Sequence, residues 1–248
     1  MHRLYLKIGE ITPEEIILRD AEQLHYLKNV LRLKAGEEVF FFDDSATEYL
    51  GKLKKISAQE LIFSIIERRR TESRKIRLTI ACAIPKKSKI EDIIDKLTQL
   101  GVSKIIPLDT ERVVVRLGQE KSKARLERWK KVAVSAAQQS QRSDIPLIEP
   151  VSKLKGVLAK AADYDLKLIP TLECPGRKSL KEVFLKAEPK NILVLIGPEG
   201  DFSPAEVKAA LKAGCIPVTL GDLVLRVETA AVAVAAFIRL GSALSSQP

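Results

Sequence analysis

The sequence predicts an α/β protein in two parts: a small barrel-like β domain over residues 1–70, then a larger domain over 71–248 built on a parallel sheet. Three observations carry this. Short apolar alternations around turn signals fill the first part, and the polar, basic run ERRRTESRK from Glu67 to Lys75 interrupts the chain. From Ile76 onward, strand-like apolar runs alternate with helical segments, which implies parallel strands joined by helical crossovers.

The first part offers strands over 38–42, after the Lys34-Ala35-Gly36 turn, and over 61–66, with a helical piece over 21–31. Phe40, Phe41 and Phe42 alternate across the first of these strands, so at least one should face outward, where it could stack a base, and the others should be buried. In the second part the strands are expected over 76–84, 104–108, 166–170, 191–196 and 216–220. Ser88 with Glu91, Ser179 with Glu182 and Ser203 with Glu206 have capping-box spacing, in which serine caps backbone N–H groups and the glutamate reaches back. Gly101 and Gly214 follow helical segments and suit a left-handed stop. Trp129, in the basic helix over 121–131, is expected in the core rather than stacked on a base. The helix over 230–240 is apolar nearly all round, so it is buried on all sides or against another subunit; a symmetric dimer contact is the preferred reading.

Composition narrows the class. With 46% hydrophobic and 30% charged residues the chain is an ordinary globular one, neither disordered nor a disulfide scaffold. MHRLYLKIGE has no apolar leader, and no apolar run is long enough for a bilayer, so neither secretion nor membrane spanning is expected. Cys82, Cys174 and Cys215 are odd in number and far apart, which reads as buried thiols in a reducing cytoplasm. No His/Cys/Asp cluster has ligand spacing, so no metal is expected. The net charge of +10 is uneven: residues 1–70 are neutral, 71–145 carry +8 and 146–248 carry +2. A local basic field attracts polyanions, although a solvated Lys/Glu surface gives the same count.

Loops leaving the carboxyl ends of parallel strands are where ligands collect in such sheets. One expected strand runs into Gly197-Pro198-Glu199-Gly200-Asp201, whose glycines let backbone approach a ligand. It has no lysine or arginine, lacks GxGxxG and the P-loop signature, and carries two carboxylates that would repel phosphate. Adenosine attached to a cationic sulfonium suits it better than a polyphosphate. Another expected strand leads into Gly221-Asp222-Leu223-Val224-Leu225-Arg226-Val227-Glu228-Thr229-Ala230.

Together IGPEGDF (196–202) and LGDLVLRVETA (220–230) resemble the cofactor loops of SPOUT-class RNA methyltransferases. More closely, the chain is similar to the family that methylates ring nitrogen 3 of a uridine in small-subunit (16S) ribosomal RNA. KNVLRLKAGEEVFFFD (28–43), DKLTQLGVSKIIPL (95–108), Glu111-Arg112 and RWKKVAVSAAQQSQR (128–142) extend the match in order along almost the whole chain. Asp201 stands where that family usually has Gly, Leu223 where Arg is common, Gln141 where Gly is, and Gln99 where Glu is. The resemblance implies an N-terminal PUA-like RNA-binding domain and a C-terminal domain with a trefoil knot around S-adenosyl-L-methionine. It further implies a homodimer acting on ribosomal RNA or the small ribosomal subunit. The cofactor-binding residues it implies are Thr171, Leu172, Ile196, Gly197, Pro198, Glu199, Gly200, Leu220, Gly221, Val224, Leu225, Arg226 and Thr229.

Methyl transfer to a uridine imide needs the reactants held in line and the imide proton removed or its anion stabilised. His2 and His25 both lie in the N-terminal part, so Arg226 is expected as electrostatic stabiliser and Glu228 or Glu199 as base or orienting group. A plain ion pair between Arg226 and Glu228 is the alternative. RNA contacts are expected from Arg112, Arg116, Lys121, Lys123, Arg125 and Arg142, or these form a solvated face. Other readings remain: a catalytically silent RNA-binding or ribosome-assembly protein, a methyltransferase for another RNA, or a nicotinamide oxidoreductase, which the missing GxGxxG opposes.

Overall fold

The computed structural model describes residues 3–7, 9–71, 74–85, 90–112, 119–172, 174–185 and 189–244. Its contacts divide the chain into two units, Met1–Ser73 with Ala137–Ile145, and Arg74–Ala136 with Pro146–Pro248.

The first unit contains β1 (Arg3–Tyr5), β2 (Glu15–Leu18), α1 (Ala21–His25), β3 (Glu38–Phe42), β4 (Thr47–Ile56) and β5 (Leu61–Arg70). They form a sheet in the order β1-β3-β4-β5-β2, antiparallel except where β1 pairs β3. Alternation shapes β4: Tyr49, Gly51 and Leu53 are buried, whereas Lys52 and Lys54 are exposed. Register shifts at Leu50/Gly51 and Leu53/Lys55 bend the β4–β5 hairpin, as extra residues in a ladder do. One face thus wraps a core of Leu4, Ile16, Leu18, Phe41, Leu53 and Phe63, with Phe41 and Phe63 edge to face at 4.9 Å. Phe42 is buried as well and Phe40 is half-buried, which leaves Phe40 as the outward member of the aromatic run. The helix expected over 21–31 begins at Asp20, whose side chain accepts from Glu22 N and Gln23 N, and passes into a π-helical turn over Tyr26–Val30.

At the β3–β4 turn the buried Asp43 carboxylate accepts from the Ser45 N–H and hydroxyl, the Thr47 N–H and the Tyr49 hydroxyl at 2.7–3.1 Å. Burial works against its charge, but those hydrogen bonds outweigh burial and hold the carboxyl below its ordinary 3.8.

The second unit carries β6 (Arg77–Ala83), α2 (Ile90–Gln99), β7 (Lys104–Asp109), α3 (Gln119–Gln139), β8 (Leu147–Ile148), β9 (Ser152–Lys153) and α4 (Leu154–Leu158). It continues with β10 (Leu166–Pro170), β11 (Lys178–Ser179), α5 (Leu180–Leu185), β12 (Asn191–Ile196), α6 (Pro204–Lys212), β13 (Ile216–Thr219) and α7 (Val227–Leu244). The strands run β11-β13-β10-β12-β6-β7-β8, with β9 also beside β7, and every pair is parallel. In β6 and β12 nearly every residue is buried, because helices cover both faces of such a sheet.

Ser203 and Glu206 form both halves of their capping box at the start of α6, and Ser179 Oγ accepts from Glu182 N. Ser88 lies outside the described residues. Gly101 and Gly214 take φ of +74° and +83° as their stop positions require. Trp129 is buried in α3 with Ala133 and Ala136 one and two turns on. Along α7 the buried residues Val227, Ala231, Val234, Ala235 and Ile238 recur at helical spacing, and the helix packs on α2, β6 and β12. Ala233 and Leu240 stay exposed on its other side, and Phe237 is half-buried. No helix among the described residues is long and apolar enough to cross a membrane.

Candidate active site

Strands β13, β10 and β12 are neighbours, so the segments leaving their carboxyl ends are brought together. These are Thr171-Leu172 after β10, the Gly197–Asp201 loop after β12 and the segment from Leu220 to Arg226 after β13. Together they line a solvent-open cleft. Of the residues singled out in the sequence, Thr171, Leu172, Ile196, Gly197, Pro198, Glu199, Leu220, Gly221, Val224 and Leu225 line it, whereas Gly200, Arg226 and Thr229 do not. Pro170, Arg177, Asp201, Thr219, Leu223, Val227 and Ala230 line it too, though the sequence reading had not put them in the site. Arg177 reaches the cleft from the β10–β11 connection and donates to the Thr171 carbonyl at 2.9 Å.

The two glycines serve different needs. A Cβ on Gly197 would stand 3.0–3.1 Å from the Phe202 ring and 3.3 Å from the Phe202 nitrogen, so the chain's own packing is tight there. Gly221 instead takes φ of +120° with open space beside it, and the Thr219 hydroxyl donates to its carbonyl at 2.9 Å.

Asp201, where glycine is usual in the resembling family, adopts a left-handed φ of +59°. Its Oδ2 accepts from the Thr171 hydroxyl and from Leu172 N, both at 2.8 Å, and its Oδ1 accepts from Phe202 N at 2.7 Å. One carboxylate therefore ties the loop after β12 to the segment after β10.

Glu199 lines the cleft, and both Glu199 and Glu228 lie close enough to the buried Cys82 thiol to act on it: burial first, then Glu228 and Glu199, push that thiol well above its ordinary range. Arg226 is exposed just before α7.

Of the expected RNA contacts, Lys123 is exposed and Arg125 half-buried on α3. Arg116 and the Lys121 side chain lie outside the described residues. Arg112 turns back to donate to the Gly200 carbonyl. Arg142 is buried, its guanidinium in a two-bond pair with Asp144 at 2.9 and 2.8 Å. Next to Arg112, Glu111 N donates to Glu206 Oε1 at 3.0 Å while Glu206 Oε2 accepts from Ser203 N at 2.9 Å. The capping glutamate of α6 thus also holds the segment that follows β7. Among the described residues no group of three His, Cys, Asp or Glu is placed to hold a metal ion.

Comparison with known proteins decides the family. The RNA methyltransferase domain family matches residues 71–239 and the RNA methyltransferase PUA domain family matches residues 18–66. The ribosomal RNA small subunit methyltransferase E of Bacillus subtilis is 32% identical over 215 residues, 84% of each chain. The chain belongs to the ribosomal RNA small subunit methyltransferase E family. Its relative of that name in Rickettsia conorii is 30% identical over 240 residues, covering 96% of this chain and 95% of its own. A crystal structure of the Neisseria gonorrhoeae member bound to S-adenosyl methionine superposes with a TM-score of 0.82 at 27% identity, over 97% of this chain and 98% of that one. The mixed sheet of the first unit and the parallel sheet of the second are thus the fold of this family.

Proposed function

We propose that the protein transfers a methyl group from S-adenosyl-L-methionine to ring nitrogen 3 of a uridine in small-subunit ribosomal RNA. The observation that carries this is the convergence of the three loops on one cleft, in a chain of this family. Among the described residues the cleft's lining charges are Glu199, Asp201 and Arg177, a poor set for a polyphosphate and a suitable one for adenosine bearing a sulfonium.

S-Adenosylmethionine, when bound, supplies an electrophilic methyl group for in-line displacement. Thr171, Leu172, Gly197, Leu220, Gly221 and Leu225 hold it by shape and backbone. Glu228 or Glu199 takes or orients the imide proton, and Arg226, exposed at the mouth of α7, meets the charge that develops on the uridine oxygens. In the division of labour proposed, residues 1–70 choose the RNA as a PUA-like domain. Residues 71–248, whose backbone forms a trefoil knot in this proposal, carry cofactor and chemistry. Lys123 and Arg125, with Arg112, Arg116 and Lys121, meet RNA phosphate; the burial of Arg142 removes it from that set. A symmetric dimer through the outer side of α7, with Leu240 66% exposed, covers that apolar side. The same reading places the protein in the cytoplasm.

The test of the cleft is Leu172→Trp, which fills it from an exposed position. Calorimetry should show loss of S-adenosylmethionine binding in a folded variant, and unchanged affinity would remove the cleft from consideration. A monomer mass by light scattering at micromolar concentration would end the dimer proposal.

A further inference from the structure

The Asp201 clamp has an electrical side. All its partners are neutral: a hydroxyl and two backbone N–H groups, and among the described residues no lysine or arginine pairs with it. The carboxylate nevertheless lines the cleft, half-buried, beside Glu199. A partly desolvated carboxylate with only neutral donors is steadied in place but not neutralised, so its field reaches into the cleft. Arg177 is the one basic side chain lining the cleft among the described residues, and it is turned to the Thr171 carbonyl.

The methyl donor and its product differ in charge at one atom. The donor's sulfur is a cationic sulfonium; after transfer it is a neutral thioether, while the adenosine and amino-acid ends are unchanged. A fixed negative charge facing the cleft therefore acts differently on the two, whereas hydrogen bonds and shape act on both alike.

We propose that Asp201 is a specificity-determining residue that makes this cleft favour cationic S-adenosylmethionine over neutral S-adenosylhomocysteine. This rests on the reading of the cleft as the cofactor site. Backbone strain supports a dedicated role: a left-handed φ is costly for a non-glycine residue, and aspartate is among the few side chains that tolerate it. The carboxylate also holds Thr171 and Leu172 against the loop after β12, so it is fixed at the wall rather than swinging in solvent.

The experiment is calorimetry on the full chain with S-adenosylmethionine and S-adenosylhomocysteine as separate probes. Asp201→Asn keeps size and one of the two acceptor oxygens, enough for the Thr171 and Leu172 bonds though not for the one from Phe202 N, and removes the charge. It should weaken S-adenosylmethionine about tenfold and S-adenosylhomocysteine no more than about twofold, as expected for loss of a charge that faces a partly solvated site. Thr171→Val breaks one strut of the clamp and keeps the charge, and should leave the ratio of the two affinities at the parent value. If Asp201→Asn does not fold, Asp201→Gly supplies the same reading, because glycine accepts the left-handed φ without strain. In turnover the charge-free variant should also be inhibited more strongly by S-adenosylhomocysteine relative to its KM for the donor. Equal weakening of both probes by Asp201→Asn or Asp201→Gly overturns the proposal and leaves Asp201 a structural clamp. Failure of the cofactor reading itself is separate: Leu172→Trp would then leave both probes bound as in the parent.

Discussion

The sheets of the two units store their stability differently. In β4 only alternate residues are buried, and its lysines face water; in β12 Ile192, Leu193, Val194, Leu195 and Ile196 are all buried, although they point to opposite faces. A one-faced sheet leaves half of each strand free to vary. A two-faced sheet does not. The cleft loops hang from the second kind, whose strand ends are fixed from both sides, which suits a site that must hold reactants in line.

The sharpest way to break this contrast is to truncate neighbours along each strand. Leu193→Ala and Val194→Ala, on opposite faces of β12, should each destabilise by about 2–4 kcal/mol, whereas Lys52→Ala and Lys54→Ala in β4 should stay within about 0.5 kcal/mol. Denaturant unfolding checks this, and a tolerated change at either β12 position would refute the two-faced picture.

The first unit has its own polar anchor, and acid should find it. The Asp43 carboxyl is held below 3.8, so its contribution is complete above that value and fades as pH falls through the lowered one. Asp43→Asn should cost about 2 kcal/mol at neutral pH and flatten the acid limb of the stability curve, measured by denaturant midpoints between pH 3 and 7. A parallel acid limb in parent and variant would mean that other carboxylates dominate.

A smaller effect is expected at the join between α6 and the segment after β7. Glu206→Ala removes acceptors from both Ser203 N and Glu111 N and should cost about 1–2 kcal/mol. Because Ser203→Ala leaves the Glu111 bond in place, it should cost less, about 1 kcal/mol. Equal losses would show that the bridge to Glu111 contributes nothing.

The least effect on stability, and a clear one on binding, is expected on α3. Replacing Lys121, Lys123 and Arg125 by Ala should change stability by no more than about 0.5 kcal/mol, yet reduce the log–log salt slope of RNA binding by about two. Retention of the parent slope would make this helix face a solvated one.

Legibility followed the physics of range. The strands over 166–170 and 191–196 could be bounded from sequence to the residue, because continuous apolar runs between turn residues are local signals. The Ser203–Glu206 cap is equally local. Arg177 could not be assigned to the cleft, because it arrives from a connection whose course depends on where β11 pairs. Nothing in the pattern of residues 137–145 signals that they belong with the first unit, since that rests on contacts distant in sequence. Arg142 reads as a free cation until Asp144, two residues on, is seen to close on it in three dimensions. Asp201 stood out as a departure, but its clamp on Thr171 and Leu172 spans thirty residues and has no sequence signature.

Cys82 is wholly buried at the end of β6, with its thiol pushed up by burial and by the nearby glutamates. Cys215 is also buried, its thiol raised to about 11, whereas Cys174 is partly exposed. Thiolates, not thiols, react with alkylating reagents, so the three cysteines form a graded chemical clock within one unit. Cys174 should be labelled in the native protein. Labelling of Cys82 would then time each opening of the strand paired with β12, without a probe having to be introduced.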